Sequence, residues 1–316
     1  MGYIENITAE LSSYRVEQYK ESDFDKFWAD NLTLSANAPL NPAVIKRKYP
    51  LPGIEVFDIC YDGIDGTKVK GFLLLPEKHD GKLPCVICYH GAGWCKGEPT
   101  HHLEWIMMGM AVIAIDIRSQ GGDTGDAHQY NSGLIKEVVT QGLLDKNDHY
   151  FKYIYTDCLR AVDFACTQEC IDENRIILNG GSQGGALSLA IGALSDKPIV
   201  ILPDIPSNCD IRSRIINRNG MFSAVAEYLD RHPYSTDQVF TTLSYFDNIN
   251  LADRIKCPVF ASVGCLDTVC PAKYFFAAMQ HIKTEKECKV YPFTGHSVID
   301  AHNLSKIEYV MKLLSQ

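Results

Sequence analysis

Short apolar runs separated by longer amphipathic stretches recur along most of this chain. Cys85 to Tyr89, Ala111 to Ile115, Arg175 to Leu178, Ile199 to Leu202, Val259 to Val263 and Lys289 to Phe293 are such runs. Their length and apolarity predict parallel strands covered on both faces. Between and after them, Tyr155 to Thr167 and Gln183 to Leu194 read as helices. Leu304, Ile307, Val310, Met311 and Leu314 give Asn303 to Leu314 a helical apolar stripe. Earlier, Ile54 to Ile59 and Lys68 to Leu75 flank the turn signal Asp62 to Gly66, which predicts an antiparallel hairpin at a sheet edge. The alternation predicts an α/β fold on one doubly wound, mostly parallel sheet.

Three segments interrupt that rhythm. Residues 1–50 read as a helical and irregular cap, with Phe24, Phe27 and Trp28 at near-helical spacing before Pro39, Pro42 and Pro50. Residues 121–148 form a long, glycine-rich polar connection, and 203–250 exceed a simple crossover while holding a helical pattern of their own. Insertions of this kind shape binding sites and interfaces, so 203–250 is expected to act as a lid. A chain of 316 residues with this organisation is expected to be a single domain spanning 1–316.

Charge and composition narrow the functions. A formal charge of -9 and the lack of any basic stripe argue against nucleic acid and anionic membranes as partners. The opening residues, Met1 to Asn6, have neither a positive region nor an apolar core of a signal peptide, and no run approaches a membrane span. A cytoplasmic protein is expected. Twelve scattered cysteines read as buried free thiols. Cys85 and Cys88 have the Cys-x-x-Cys form, but positions i and i+3 of a strand face opposite ways and cannot grip one metal. Neither metal nor cofactor is expected.

Chemistry concentrates at Gly180-Gly181-Ser182-Gln183-Gly184, between a strand pattern and a helix pattern. A serine on a sharp strand-to-helix turn is how α/β-hydrolases expose their nucleophile, with the acid and the histidine following at later strand ends. Asp267 follows Val259 to Val263, and His296 follows Lys289 to Phe293, which completes the order Ser182, Asp267, His296. In that reading His296 is the general base and Asp267 orients it. Asp267 also fits as a cap for a helix beginning near Pro271, and His302 competes with His296 but is expected on the last helix. The oxyanion donors are expected to be the N–H groups of Gln183 and of Ala92, in the turn His90 to Gly93.

These residues resemble the acetyl xylan esterase and cephalosporin C deacetylase family of carbohydrate esterases. The resemblance runs through Phe24 to Trp28, Asp116 to Gly122, the serine motif, Asp204 to Pro206, His232 to Tyr234, Leu243 to Asp247 and Gly264 to Pro271. It implies a cofactor-free cytoplasmic serine esterase acting on small acetylated sugars. It also implies a homo-oligomer, often a hexamer, with 121–148 as the interface extension and Arg118 and Gln120 bracing the site, while Arg118 equally fits a plain surface ion pair. Three positions depart from the family pattern. Ser119 replaces a glycine between Arg118 and Gln120, Ala92 stands where a tyrosine is common, and Ser297 follows His296 in place of glutamate. A peptidase or thioesterase on the same fold, and a catalytically impaired binding protein, remain alternatives.

Overall fold

The computed structural model describes residues 2–132 and 135–315. Gly133 and Leu134, inside the expected interface extension, lie outside the described residues. Among the described residues nine strands form one sheet: β1 (Ala43–Arg47), β2 (Ile54–Asp62), β3 (Lys68–Pro76), β4 (Leu83–Tyr89), β5 (Ala111–Ile115), β6 (Ile171–Gly181), β7 (Pro198–Asp204), β8 (Val259–Gly264) and β9 (Lys286–Tyr291). Their order is β1-β2-β3-β5-β4-β6-β7-β8-β9. The first three and the β3–β5 pair are antiparallel, and every pair from β5 to β9 is parallel. This is the expected α/β-hydrolase sheet.

The helices are α1 (Tyr3–Ser13), α2 (Phe24–Asn37), α3 (Leu103–Met107), α4 (Tyr150–Cys166), α5 (Gln183–Leu194), α6 (Ile211–Ile216), α7 (Phe222–Arg231), α8 (Thr236–Ser244), α9 (Asn248–Leu251), α10 (Ala272–Met279) and α11 (Asp300–Leu314). Two apolar layers cover the two faces of the sheet. Cys85, Ile87 and Tyr89 enter one, and Val86 and Cys88 enter the other, so the strand's period of two sends the Cys85 and Cys88 thiols to opposite sides. All twelve cysteines are free, six of them buried and six partly exposed.

Four local expectations change. The predicted hairpin is not the edge, because β1 pairs along β2 outside it. The β1 side chains are mostly exposed, so backbone pairing forms this strand without leaving an apolar period in the sequence. The cap is more regular than expected and contains α1 and α2. Phe24, Phe27 and Trp28 pack on Tyr245, Phe246 and Tyr155, which ties α2 to the 203–250 segment and to α4. β9 ends at Tyr291, where Pro292 offers no N–H to extend the ladder, so His296 stands on a loop and not directly after a strand.

The last helix differs most in which face it buries. Leu304 and Met311 are exposed, while His302, Lys306 and Val310 are buried at i, i+4 and i+8. Two polar residues therefore occupy most of the inner face. Their partner is Asp204 at the end of β7. Lys306 Nζ lies 2.6 Å from Asp204 Oδ2, and His302 Nε2 lies 2.7 Å from Asp204 Oδ1.

Candidate active site

Ser182 sits between β6 and α5 with φ 59° and ψ -118°, a conformation that costs a non-glycine residue on the order of 1–3 kcal/mol. Neighbouring backbone holds it there. The Ser182 N–H donates to the Asp204 carbonyl at 2.9 Å, and the Ser207 N–H donates to the Ser182 carbonyl at 3.0 Å. Strand and helix crowd at this turn. A Cβ on Gly184 would stand 1.9 Å from the Tyr89 carbonyl oxygen, and one on Gly180 would stand 2.5 Å from the Gly184 backbone. Glycine is required at both positions for steric reasons.

The structure brings Ser182, Asp267 and His296 together. The Ser182 hydroxyl is placed to donate to His296 Nε2 at 3.0 Å, and His296 Nδ1 is placed to donate to Asp267 Oδ2 at 2.7 Å. Asp267 Oδ1 accepts the Val269 and Cys270 N–H groups, each at 2.8 Å. Capping the following turn and orienting the imidazole are thus two uses of one carboxylate. Burial works against charge on Asp267, but His296 and the two amides outweigh it and hold the carboxyl below its ordinary value.

Two N–H groups point to anion stabilisation. Gln183 opens α5, so no preceding helical turn supplies it a carbonyl, and neither its N–H nor that of Ala92 has an acceptor among the described residues. The Gly91 to Trp94 turn is held beside Ser182 by His90. Nδ1 of His90 lies 2.8 Å from the Gly91 carbonyl, and its Nε2 accepts the Ile117 N–H at 2.9 Å. Burial lowers the His90 pKa, consistent with the neutral ring that this pair of bonds requires.

Gln120 links the two segments that carry these donors. Its Oε1 accepts the Gly93 N–H at 2.8 Å, while its Nε2 donates to Gln183 Oε1 at 2.9 Å and to the Tyr150 hydroxyl at 2.9 Å. Arg118, two residues earlier, is fully buried and not a surface ion pair. It forks onto Asp157 at 2.7 and 2.8 Å and reaches Asp65 and Asp126. Its carbonyl accepts the Tyr150 hydroxyl at 2.6 Å. Ser119 between them has φ 55°, so the departure from glycine does place a Cβ in the left-handed region.

A cavity of about 180 Å³ opens beside Ser182 and is lined by Ala92 and Gly93 and by Ser207, Arg214 and Met221 from the 203–250 segment. Ser207, Arg214 and Lys306 carried no local sequence signal for a role at the site. Only Asp204, the last residue of an apolar run, could have been flagged as a polar group at a strand's carboxyl end.

Similarity to known proteins agrees with this geometry. The acetyl xylan esterase family model matches residues 1–313. The acetyl esterase Axe7A of Xylanibacter ruminicola is 27% identical over 300 residues, covering 92% of this chain, which spans 66% of the length of that relative. Among solved structures, an acetyl xylan esterase from a Paenibacillus species superposes with a TM-score of 0.94 at 37% identity, covering 96% of this chain and 98% of its own. Acetyl Xylan Esterase 1 from a Thermoanaerobacterium species gives a TM-score of 0.91 at 27% identity, with the same coverage of both chains. With the match running from the cap through the last helix, this chain belongs to the acetyl xylan esterase family.

Proposed function

We propose that this protein is a serine carboxylesterase that releases acetate from small O-acetylated carbohydrates. The observation that carries the proposal is the unbroken hydrogen-bond chain Ser182, His296, Asp267, set beside two N–H groups without acceptors. In this reading Ser182 Oγ attacks the ester carbonyl while His296 Nε2 takes its proton. Charge develops on the carbonyl oxygen and is met by the Ala92 and Gln183 N–H groups. His296 then protonates the departing alcohol, which leaves an acetyl-enzyme, and a water deprotonated by His296 releases acetate. Asp267 holds the imidazole tautomer throughout. Gln120 sets the spacing of the two donors, and Arg118 anchors the loop that presents Gln120.

The 203–250 segment acts as the wall or lid of the substrate cavity, supported by Ser207, Arg214 and Met221 lining it. A homo-oligomer with 121–148 as an interface extension completes the proposal, and sedimentation tests it: a hexamer is expected and a monomer contradicts it. A reducing, cytoplasmic setting is supported by twelve unpaired thiols. No described helix is long and apolar enough to cross a membrane. Hydrolysis of an aryl acetate tests the activity directly. Turnover that disappears in Ser182→Ala is expected; no turnover, with Ser182 inert to an organophosphonate, would overturn the esterase reading in favour of a binding protein. A preference for octanoyl over acetyl esters would overturn the acetyl assignment.

A further inference from the structure

Arg118, Arg160 and Arg214 are fully buried arginines, and they differ in how their charge is met. Arg118 meets three carboxylates. Arg160 donates to the carbonyls of Asp62, Ser35, Ala38 and Pro39. Arg214 has no ion pair among the described residues. Its Nη2 donates to the Val269 carbonyl at 2.8 Å and reaches Cys270 Sγ at 3.5 Å, its guanidinium carbon lies 4.9 Å from the centre of the Phe222 ring, and its Nε and Nη1 have no partner among the described residues. Buried donors of a charged group are costly to leave unmet, and proteins seldom do so.

The place of this residue gives the irregularity a use. Arg214 lines the cavity beside Ser182, and so does Ser207, whose buried Oγ also lacks a partner. Ser207 is anchored one hydrogen bond from the nucleophile, through its N–H to the Ser182 carbonyl. Two buried polar groups without partners among the residues that line this cavity point to a subsite for an oxygen. An acetyl group ends in a methyl and brings no oxygen beyond the ester itself, so the oxygen belongs to the alcohol. Glu137 lines the same cavity, and a substrate carboxylate would meet its like charge there. A hydroxyl suits all three side chains, since it accepts from Arg214 while donating to Ser207 Oγ or Glu137.

We propose that Arg214, with Ser207, recognises a free hydroxyl of the alcohol close to the scissile ester, and so selects partly acetylated polyols over simple esters. The inference rests on the esterase reading above, and the test separates the two. Values of kcat/KM are measured for the full chain on an aryl acetate, on an acetylated pyranoside with a free hydroxyl at the neighbouring carbon, and on its deoxy analogue. Wild type is expected to favour the hydroxyl substrate over the deoxy one by roughly 10- to 100-fold, the range for a hydrogen bond to a charged group. In Arg214→Met that ratio is expected to fall to within about threefold. Because it compares substrates within one preparation, partial misfolding does not mimic the effect. Should Arg214→Met fail to fold, Ser207→Ala serves, with a reduced ratio expected. Aryl acetate turnover with no preference in wild type, or an unchanged ratio in the variant that folds, overturns the subsite. Absence of all turnover overturns the esterase reading itself.

Discussion

Asp267 serves two structures with its two oxygens, and that division predicts how its loss would read. Asparagine can still accept from the Val269 and Cys270 amides, but it presents the wrong charge, and in one rotamer the wrong group, to His296 Nδ1. Asp267→Asn is therefore expected to keep the fold and to lower kcat by about 10⁴; thermal melting and steady-state kinetics on an aryl acetate check both halves. Ser119 poses the opposite case, a side chain in backbone space that glycine tolerates better. Its hydroxyl is 3.5 Å from Asp126 Oδ2, too far to recover the strain. Ser119→Gly is expected to stabilise the protein by about 0.5–1 kcal/mol, measured by urea unfolding, because the left-handed cost exceeds the added chain entropy. At Ala92 and Ser297 the substitutions leave the backbone donor and the hydrogen-bond chain in place.

Among the elements, α11 shows how a partner can redefine a helix face. An apolar stripe can be drawn through Leu304 and Met311, yet both are exposed, while His302 and Lys306 face inward to Asp204. Asp204 also accepts from Ser262 Oγ at 2.7 Å, and its carbonyl takes the Ser182 N–H. One buried residue thus connects β7, β8 and α11 to the turn that carries Ser182, and α11 follows directly on the loop that carries His296. Removing Lys306 leaves the buried Asp204 charge with only His302 and Ser262 to meet it. Lys306→Met is expected to cost about 3–5 kcal/mol in urea unfolding at neutral pH. Strand β5 and helix α5 match their expected bounds residue for residue, because each is a largely apolar run closed by a polar residue, Asp116 and Ser195. β1 was not legible, since its exposed side chains record only that the backbone is paired.

For the whole molecule, the carboxylates held below their ordinary pKa, Asp204 and Asp267, contribute to the acid limit. Burial raises the Asp204 pKa, but Lys306 and His302 outweigh it and hold the value below the ordinary 3.8. A depressed folded pKa contributes stability that is present above the unfolded value and is lost as pH falls through the folded one. Stability is therefore expected to decline as pH drops below about 4. In Lys306→Met this contribution shrinks, since Asp204 keeps its burial and His302 but loses its lysine, and the gap to wild type should narrow on acidification; urea midpoints at pH 7 and pH 4 read it. The alternation of strands and helices, the glycine-flanked Ser182 and the order in which Asp267 and His296 follow were legible in the sequence alone. Each rests on local physics: a side-chain period, a steric demand for glycine, a polar residue just past an apolar run. The fates of Arg118, Arg214, His302 and Lys306 were decided only by tertiary structure. A charged side chain becomes an anchor, a positioning group or a substrate contact according to which groups, distant in sequence, share its burial, and no local pattern encodes those neighbours.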